Sequence, residues 1–283
     1  MIFADSLENT ETVPTGLFID KVVPGFPKGR IIEIWGDESV GKSTFCMQLV
    51  ANAQKEGLKC LWADVEYSYE ANYAKALGVD NGKLGLIRNP EAEEVLDQLT
   101  EAIEGGKYDI FVLDSIGGLT ARAEIEKSSG EKTIGAQAGL VARFCRKVVP
   151  SLSVNGGILI VINHSVIDIM SGRTHTSGGK KLSYHKSLSV RLKVKPNAAL
   201  KVGDKKVGKI VTATISKDKV FGKEGAEVEG HLKFGEGFSA SADKFEELLT
   251  AGEITKEGNT YFYKGEKLGI GKGKASEAFK AFL

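Results

Sequence analysis

The sequence predicts an α/β protein in which helices flank a mainly parallel β-sheet, with a small α+β module after it. Three observations carry that expectation. From Arg30 to about Asn163, short β-rich runs alternate with amphipathic stretches, the pattern of strands joined by crossover helices. One strand-to-helix junction holds Gly36-Asp37-Glu38-Ser39-Val40-Gly41-Lys42-Ser43, a full G-x-x-x-x-G-K-[ST] phosphate loop. From about Ser239 the alternation gives way to a helix, a hairpin and a closing helix.

The elements follow in order. Arg30-Ile31-Ile32-Glu33-Ile34-Trp35 reads as a strand, the phosphate loop leaves it, and the run from Ser43 opens a helix near 43–55. Further strands fall at Lys59 to Ala63, Leu84 to Ile87, Ile110 to Leu113 and Gly157 to Ile162, with helices near 69–77, 91–104 and 136–153 between them. Ligands of such sheets collect at the carboxyl ends of the strands, where the phosphate loop begins. Asn163 to Lys181 is polar and holds Gly172, Gly178 and Gly179, so it reads as an irregular, mobile connection. Lys186 to Val194 and Lys209 to Ser216 look like strands joined through the turn-rich Pro196 to Gly208. The last module holds helix Ala242 to Leu249, a hairpin around Glu257-Gly258-Asn259, the segment Gly265 to Gly273 and helix Lys274 to Leu283. The expected divisions are an N-terminal segment, 1–28, a core, 29–238, and a small C-terminal domain, 239–283.

The 283 residues are 42% hydrophobic and 27% charged, as in an ordinary water-soluble globule. The N-terminus lacks the basic start and apolar run of a signal peptide, and no apolar stretch approaches a membrane span. Cys46, Cys60 and Cys145 are odd in number and lie in apolar runs, so they read as reduced core residues. A cytoplasmic protein is the expectation. The net charge of +1 conceals an asymmetry: between Ser171 and Lys223, fourteen Lys or Arg face only Asp204 and Asp218, a balance of +12 that leaves −11 for the rest. Such a block suits a polyanion partner, although solvated lysines on strands and turns would have the same composition.

The loop's glycines let successive backbone amides point at phosphate oxygens, and the helix that follows presents its positive end to the same anion. In that frame Lys42 lies along the β- and γ-phosphates and the Ser43 hydroxyl ligates Mg²⁺. Tyr108 to Asp114 is an apolar strand ending in a carboxylate about seventy residues after the loop, which suits Asp114 to a magnesium ion, usually through water. Asp64-Val65-Glu66 ends the intervening strand, where a carboxylate can orient the attacking water and accept its proton. Spacing does not separate Asp64 from Glu66, and an acidic residue there could equally cap the next helix.

Taken together, these residues resemble the RecA family of recombinases, bacterial and phage. The carrying segments are Pro14-Thr15-Gly16, Gly29 to Ile34, the loop Gly36 to Ser43, Asp64-Val65-Glu66, Leu113-Asp114-Ser115, Ala123-Glu124-Ile125-Glu126, Ile162-Asn163, Ser177-Gly178-Gly179 and Tyr263 to Gly269. The last of them favours bacterial and phage members over archaeal or eukaryotic ones. The resemblance implies an ATP- and Mg²⁺-dependent protein, in a bacterial cell or a phage-infected host, that forms helical filaments on single-stranded DNA and pairs it with a homologous duplex. Single-strand-binding and mediator proteins are further partners it suggests.

Residue by residue, the resemblance puts Glu66 on the water-activating carboxylate and Tyr73 on the aromatic that stacks on adenine. Thr44, Asn163 and His164 join the loop residues Gly36, Asp37, Glu38, Ser39, Val40, Gly41, Lys42 and Ser43 around the nucleotide. It implies DNA-binding loops at about 124–135 and 164–179, with Ile134 and Ile169 near side chains that wedge between base triplets. Arg146, Arg173, Gly178 and Gly179 are implied contacts to DNA, with phosphate neutralised by the basic block. Lys217 and Lys219, two apart on a strand and so on one face, match paired lysines that reach a neighbour's γ-phosphate as an arginine finger does.

The sequence departs from the family in places. His164 stands where bacterial members have glutamine, at a position thought to sense the γ-phosphate, and could make that signal pH-sensitive or simply be hydrogen-bonded. The second loop is shorter and contains no aromatic residue. About fourteen residues precede Thr15, so the helix by which family protomers grip one another is expected to be missing, with Ile2, Phe3 and Leu7 as a short polymerisation strand. With Ala281-Phe282-Leu283 as the last residues, the family's acidic tail is expected to be missing. A ring helicase or DNA motor on the same core is the alternative reading. A small-molecule kinase fits less well, since no arginine-rich lid accompanies the loop.

Overall fold

The computed structural model describes residues 10–119, 136–167, 174–177 and 179–283. In chain order the elements are β1 (Thr12–Val13), β2 (Phe26–Pro27), β3 (Ile31–Gly36), α1 (Lys42–Lys55), β4 (Cys60–Asp64), α2 (Ala71–Ala76), β5 (Leu84–Ile87), α3 (Ala92–Glu104) and β6 (Ile110–Asp114). There follow α4 (Ala136–Asn155), β7 (Ile158–Ile167), β8 (Thr174–Thr176), α5 (Gly179–His185), β9 (Lys186–Val202), β10 (Lys205–Asp218), β11 (Glu227–Lys233) and β12 (Gly237–Phe238). The last group is α6 (Ala240–Thr250), β13 (Ile254–Glu257), β14 (Thr260–Tyr263), β15 (Glu266–Ile270) and α7 (Lys272–Ala278).

The main sheet runs β12-β11-β10-β9-β3-β7-β6-β4-β5, with β8 paired to β7. From β9 to β5 its neighbours are parallel, and from β9 to β12 they are antiparallel. Strand alternation divides the apolar residues between two cores. Ile32, Ile34, Ile110, Val112, Ile160 and Ile162 enter one, with Phe45, Cys46 and Val50 of α1. Ile31, Phe111, Leu113, Leu159 and Val161 enter the other, with Val95 and Leu99 of α3 and Val148 of α4. Each fully buried side chain of this kind contributes about 1.5–3 kcal/mol. The N-terminal stretch joins the first core through Val13, Phe18, Ile19, Val23 and Phe26, while Ile2, Phe3 and Leu7 lie outside the described residues.

The reading of 163–208 needs correction. Beyond Ile162, β7 continues to Ile167 and pairs with β8, and α5 begins at Gly179, because these backbone groups find ladder and helix partners that local composition does not show. Nor does Pro196 to Gly208 form a long turn. β9 and β10 run on as an antiparallel arm closed by Gly203-Asp204. The register jumps between the pairs Lys209–Ala199 and Val211–Val194, so Pro196 and Asn197, the latter at φ +56°, stand in a bulge that tolerates them.

The C-terminal module has its own sheet, β13-β14-β15, and a small core of Phe245, Leu248, Ile254, Tyr261, Leu268 and Phe279. Its closing helix spans Lys272–Ala278 and ends in a 3₁₀ turn, Phe279–Phe282. Asp243 ties α6 to the main sheet, accepting from the backbone N–H of His231 at 2.9 Å and lying 2.7 Å from its Nδ1. Among the described residues no helix is long and apolar enough to cross a membrane.

Candidate active site

The phosphate loop leaves β3 at its carboxyl end and turns into α1. Its glycines are dictated by space and backbone angle. Gly36 has φ +155°, and a Cβ there would lie 2.2 Å from the Leu192 carbonyl oxygen. Gly41, at φ +112°, is followed directly by α1 and faces Leu232 and Phe238 of the antiparallel strands. Ser39 holds φ +56° without being glycine, and Val40 is buried beneath the loop. The result is a backbone cradle at a helix start, suited to an anion.

Lys42 is buried, and its Nζ donates to the carbonyls of Gly36 at 3.1 Å and Asp37 at 2.8 Å. Burial lowers its pKa, opposed by Asp114, Glu66, Asp37 and Glu38. Asp114 ends β6, and burial pushes its carboxyl up to about 7, partly offset by the hydrogen bond that the Ser43 hydroxyl donates to it. Among the described residues no ion pair engages it. A buried carboxylate beside a hydroxyl, without a cation in contact, fits magnesium.

The structure separates the two carboxylates that spacing left together. Asp64 is fully buried and accepts from the backbone N–H groups of Ser68 at 3.0 Å and Tyr69 at 3.1 Å, and from Arg88 Nε at 2.8 Å. Its oxygens hold the turn before α2. Glu66 instead lines the cleft with Lys42 and Asp114. The Ser115 hydroxyl donates to Glu66 Oε1, and His164 Nε2 lies 3.2 Å from the same atom. Tyr67, at φ +55°, carries the chain away from Glu66, with the Arg88 guanidinium 5.9 Å from its ring.

Thr44 Oγ1 and the Tyr73 hydroxyl are 3.1 Å apart on one wall. Asn163 is fully buried; its Nδ2 donates to Glu33 Oε1 at 3.0 Å and to the Ser177 carbonyl at 2.9 Å, tying the chain after β8 to β3. Glu33 also accepts from Lys186 Nζ and, at 2.7 Å, from the Ser189 hydroxyl. One cation of the basic block therefore belongs to the interior, and Lys195 pairs with Glu229 at 2.6 Å. Lys217 and Lys219 converge on the last turn of α5, donating to the Ser183 and Tyr184 carbonyls, the second at 2.6 Å. Neither lines the cleft of the phosphate loop. Arg146 stands on the exposed face of α4, and Gly179 starts α5. Ile134, Ile169, Arg173 and Gly178, and the whole of 124–135, lie outside the described residues.

The cleft has a volume of about 630 Å³. It is lined by Glu38, Ser39, Gly41, Lys42, Ser43 and Thr44 of the loop and helix start, by Glu66, Asp114 and His164, and by Tyr73. Sequence reasoning missed the facing wall, Lys209 and Leu232 to Gly235, because it comes from β10, β11 and the turn after them, far along the chain. Glu33 had a usable signal: a carboxylate inside an apolar strand needs a partner.

Comparisons with known proteins agree with this architecture. The family model described as the RecA N-terminal domain matches residues 3–239. Protein RecA of Bifidobacterium breve is 34% identical over 280 residues, covering 97% of this chain and 71% of that protein. Protein RecA of Bacteroides thetaiotaomicron is 35% identical over 282 residues, covering 98% and 84%. For Protein RecA of Methylobacterium radiotolerans the figures are 36% over 287 residues, 99% and 77%. Among solved structures, the RadB recombinase matches with a TM-score of 0.60 at 18% identity, over 79% of this chain and 97% of that one, a likeness of fold.

Proposed function

The chain belongs to the RecA family and is a homologous-recombination protein, and we propose that it is a DNA-dependent ATPase that assembles as a filament on single-stranded DNA and pairs it with a homologous duplex. The observation that carries this reading is the convergence of Lys42, Asp114 and Glu66 on one cleft floored by the phosphate loop. The loop amides and Lys42 bind and orient the phosphates, and burial makes the Lys42 charge count for more than it would in water. Ser43 and Asp114 would hold magnesium, which screens the phosphate charge. Water attacks the γ-phosphorus as the bond to ADP breaks, and Glu66 takes the water's proton, held in place by Ser115 and His164. Lys217 and Lys219 act in trans on a neighbouring protomer's nucleotide.

ATP hydrolysis with and without single-stranded DNA tests this reading. Lys42→Ala should abolish turnover, and Glu66→Gln should bind ATP normally while hydrolysing it about a hundredfold more slowly. Wild-type turnover in the Glu66 variant removes it from the mechanism. Electron microscopy with ATP and DNA should show helical filaments, whereas closed rings would indicate a ring motor.

A further inference from the structure

Three lysines line the nucleotide cleft: Lys42, Lys209 and Lys233. Their partners differ. Lys233 is taken up by Glu277 of α7 at 2.6 Å. Lys42 donates to loop carbonyls at the Gly36 end. Lys209 donates to the Ser39 carbonyl, farther along the same loop, and among the described residues no carboxylate pairs with it.

The fold explains why a residue so distant arrives there. β10 pairs with β11 in unbroken register from Gly208 to Thr214, so Lys209 shares a face with Val211 and Ala213, the face buried in the α1 core. Its cross-strand partner, Leu232, faces Gly41. The antiparallel edge thus braces the loop, and Lys209 is its polar contact. Burial lowers the pKa of this lysine, and Lys206 adds repulsion, so a nearby anion would relieve both.

We propose that Lys209 is a second phosphate-binding cation of the chain's own nucleotide site, contacting the phosphate nearest the ribose while Lys42 holds the far end. The inference rests on the ATP reading above. Glu66, Asp114 and His164 gather on the Lys42 side of the cleft, where the proposed hydrolysis would take place. The aromatic side chains Tyr73 and Phe234 lie among the remaining lining and offer ring faces on which a base could stack, and Lys209 comes from the same group of antiparallel strands as Phe234. A polyphosphate cradled by the loop amides therefore runs from Lys42 toward Lys209. One cation at each end fixes its direction as well as its charge.

Calorimetric titration of the full chain with ATP and with ADP, in magnesium and without DNA, tests the assignment. ATP and ADP share the phosphate at issue, so Lys209→Met should weaken both by about the same factor, roughly tenfold. Lys209→Arg, which keeps the charge, should stay within about threefold of wild type. Unchanged affinity for both nucleotides in Lys209→Met overturns the inference. So does a loss confined to ATP, which would place Lys209 at the γ-phosphate, or an equal loss in Lys209→Arg, which would make the role one of packing. Should the methionine variant not fold, Lys209→Gln against Lys209→Arg makes the same comparison. Wild-type protein that binds neither nucleotide overturns the ATP reading itself, and this inference with it.

Discussion

In the parallel half of the main sheet, β3, β7 and β6 send alternate residues into two cores. In the antiparallel half, Leu188, Val190 and Leu192 of β9 and Val211, Ala213 and Ile215 of β10 enter only the first. The difference governs charge. The strands and helix start of the doubly covered half bury ionisable groups: Lys42 with its depressed pKa and Asp114 with its raised one face the cleft, while Asp64 holds a turn. Beyond Ser189 the other strand face of the singly covered half is partly exposed and rich in lysine, so its cations can reach outward to a loop, a helix end or a partner. The halves meet where β3 pairs with β9, and there Glu33 and Lys186 form an internal ion pair.

Breaking that seam should have the largest effect. Lys186→Met leaves Glu33 buried without its cation, and equilibrium unfolding should show a loss of about 3–5 kcal/mol. A loss below about 1 kcal/mol would mean that Asn163 and Ser189 satisfy Glu33 without it, and that the seam does not depend on the pair.

The doubly covered half has a pH signature of its own. Because Asp114 is raised from its ordinary value to about 7, mainly by burial, the folded state holds its proton more tightly than the unfolded chain. The associated stabilisation is full below the ordinary carboxylate range and is lost as pH rises toward and through 7, at ~1.4 kcal/mol per unit of displacement, or about 4 kcal/mol in all. Metal-free wild type should therefore lose stability between about pH 4 and pH 7, and little beyond, relative to Asp114→Asn, whose side chain does not titrate. Parallel stability profiles for the two proteins would show that burial does not disturb this carboxyl.

The singly covered half should yield the smallest energetic change but the most specific one. Lys217→Ala or Lys219→Ala should leave ATP binding by the free chain within about twofold of wild type and lower DNA-stimulated hydrolysis about tenfold or more, roughly 1.4 kcal/mol or above. Mixing either variant with Glu66→Gln should restore some turnover, because one site can then draw its base and its lysines from different protomers. Absence of rescue in filaments proven to contain both would rule out action in trans.

Legibility followed the same division. Strands such as Ile31–Gly36 and Ile110–Asp114 are apolar apart from Glu33 and Asp114 because helices cover both faces, so local composition reveals them. Glu227–Lys233, with the sequence Glu-Val-Glu-Gly-His-Leu-Lys, has no comparable apolar run, and the arm of β9 and β10 contains proline and glycine that suggest a turn. Those strands exist because each supplies the other's backbone hydrogen bonds, a non-local condition.

By itself the sequence determined the phosphate loop, its place between strand and helix, the carboxylate ending β6 and the basic character of 171–223. These rest on residue type and short-range spacing, which dihedral preference and strand periodicity turn directly into geometry. Only the tertiary structure decided that Asp64 holds a turn while Glu66 faces the cleft, that Lys186 is internal, and that Lys209 arrives at Ser39. Each of these depends on which side chains meet. Asp64 and Glu66 are two residues apart but face different partners, and Lys209 meets a residue 170 positions away through strand pairing that no local pattern encodes.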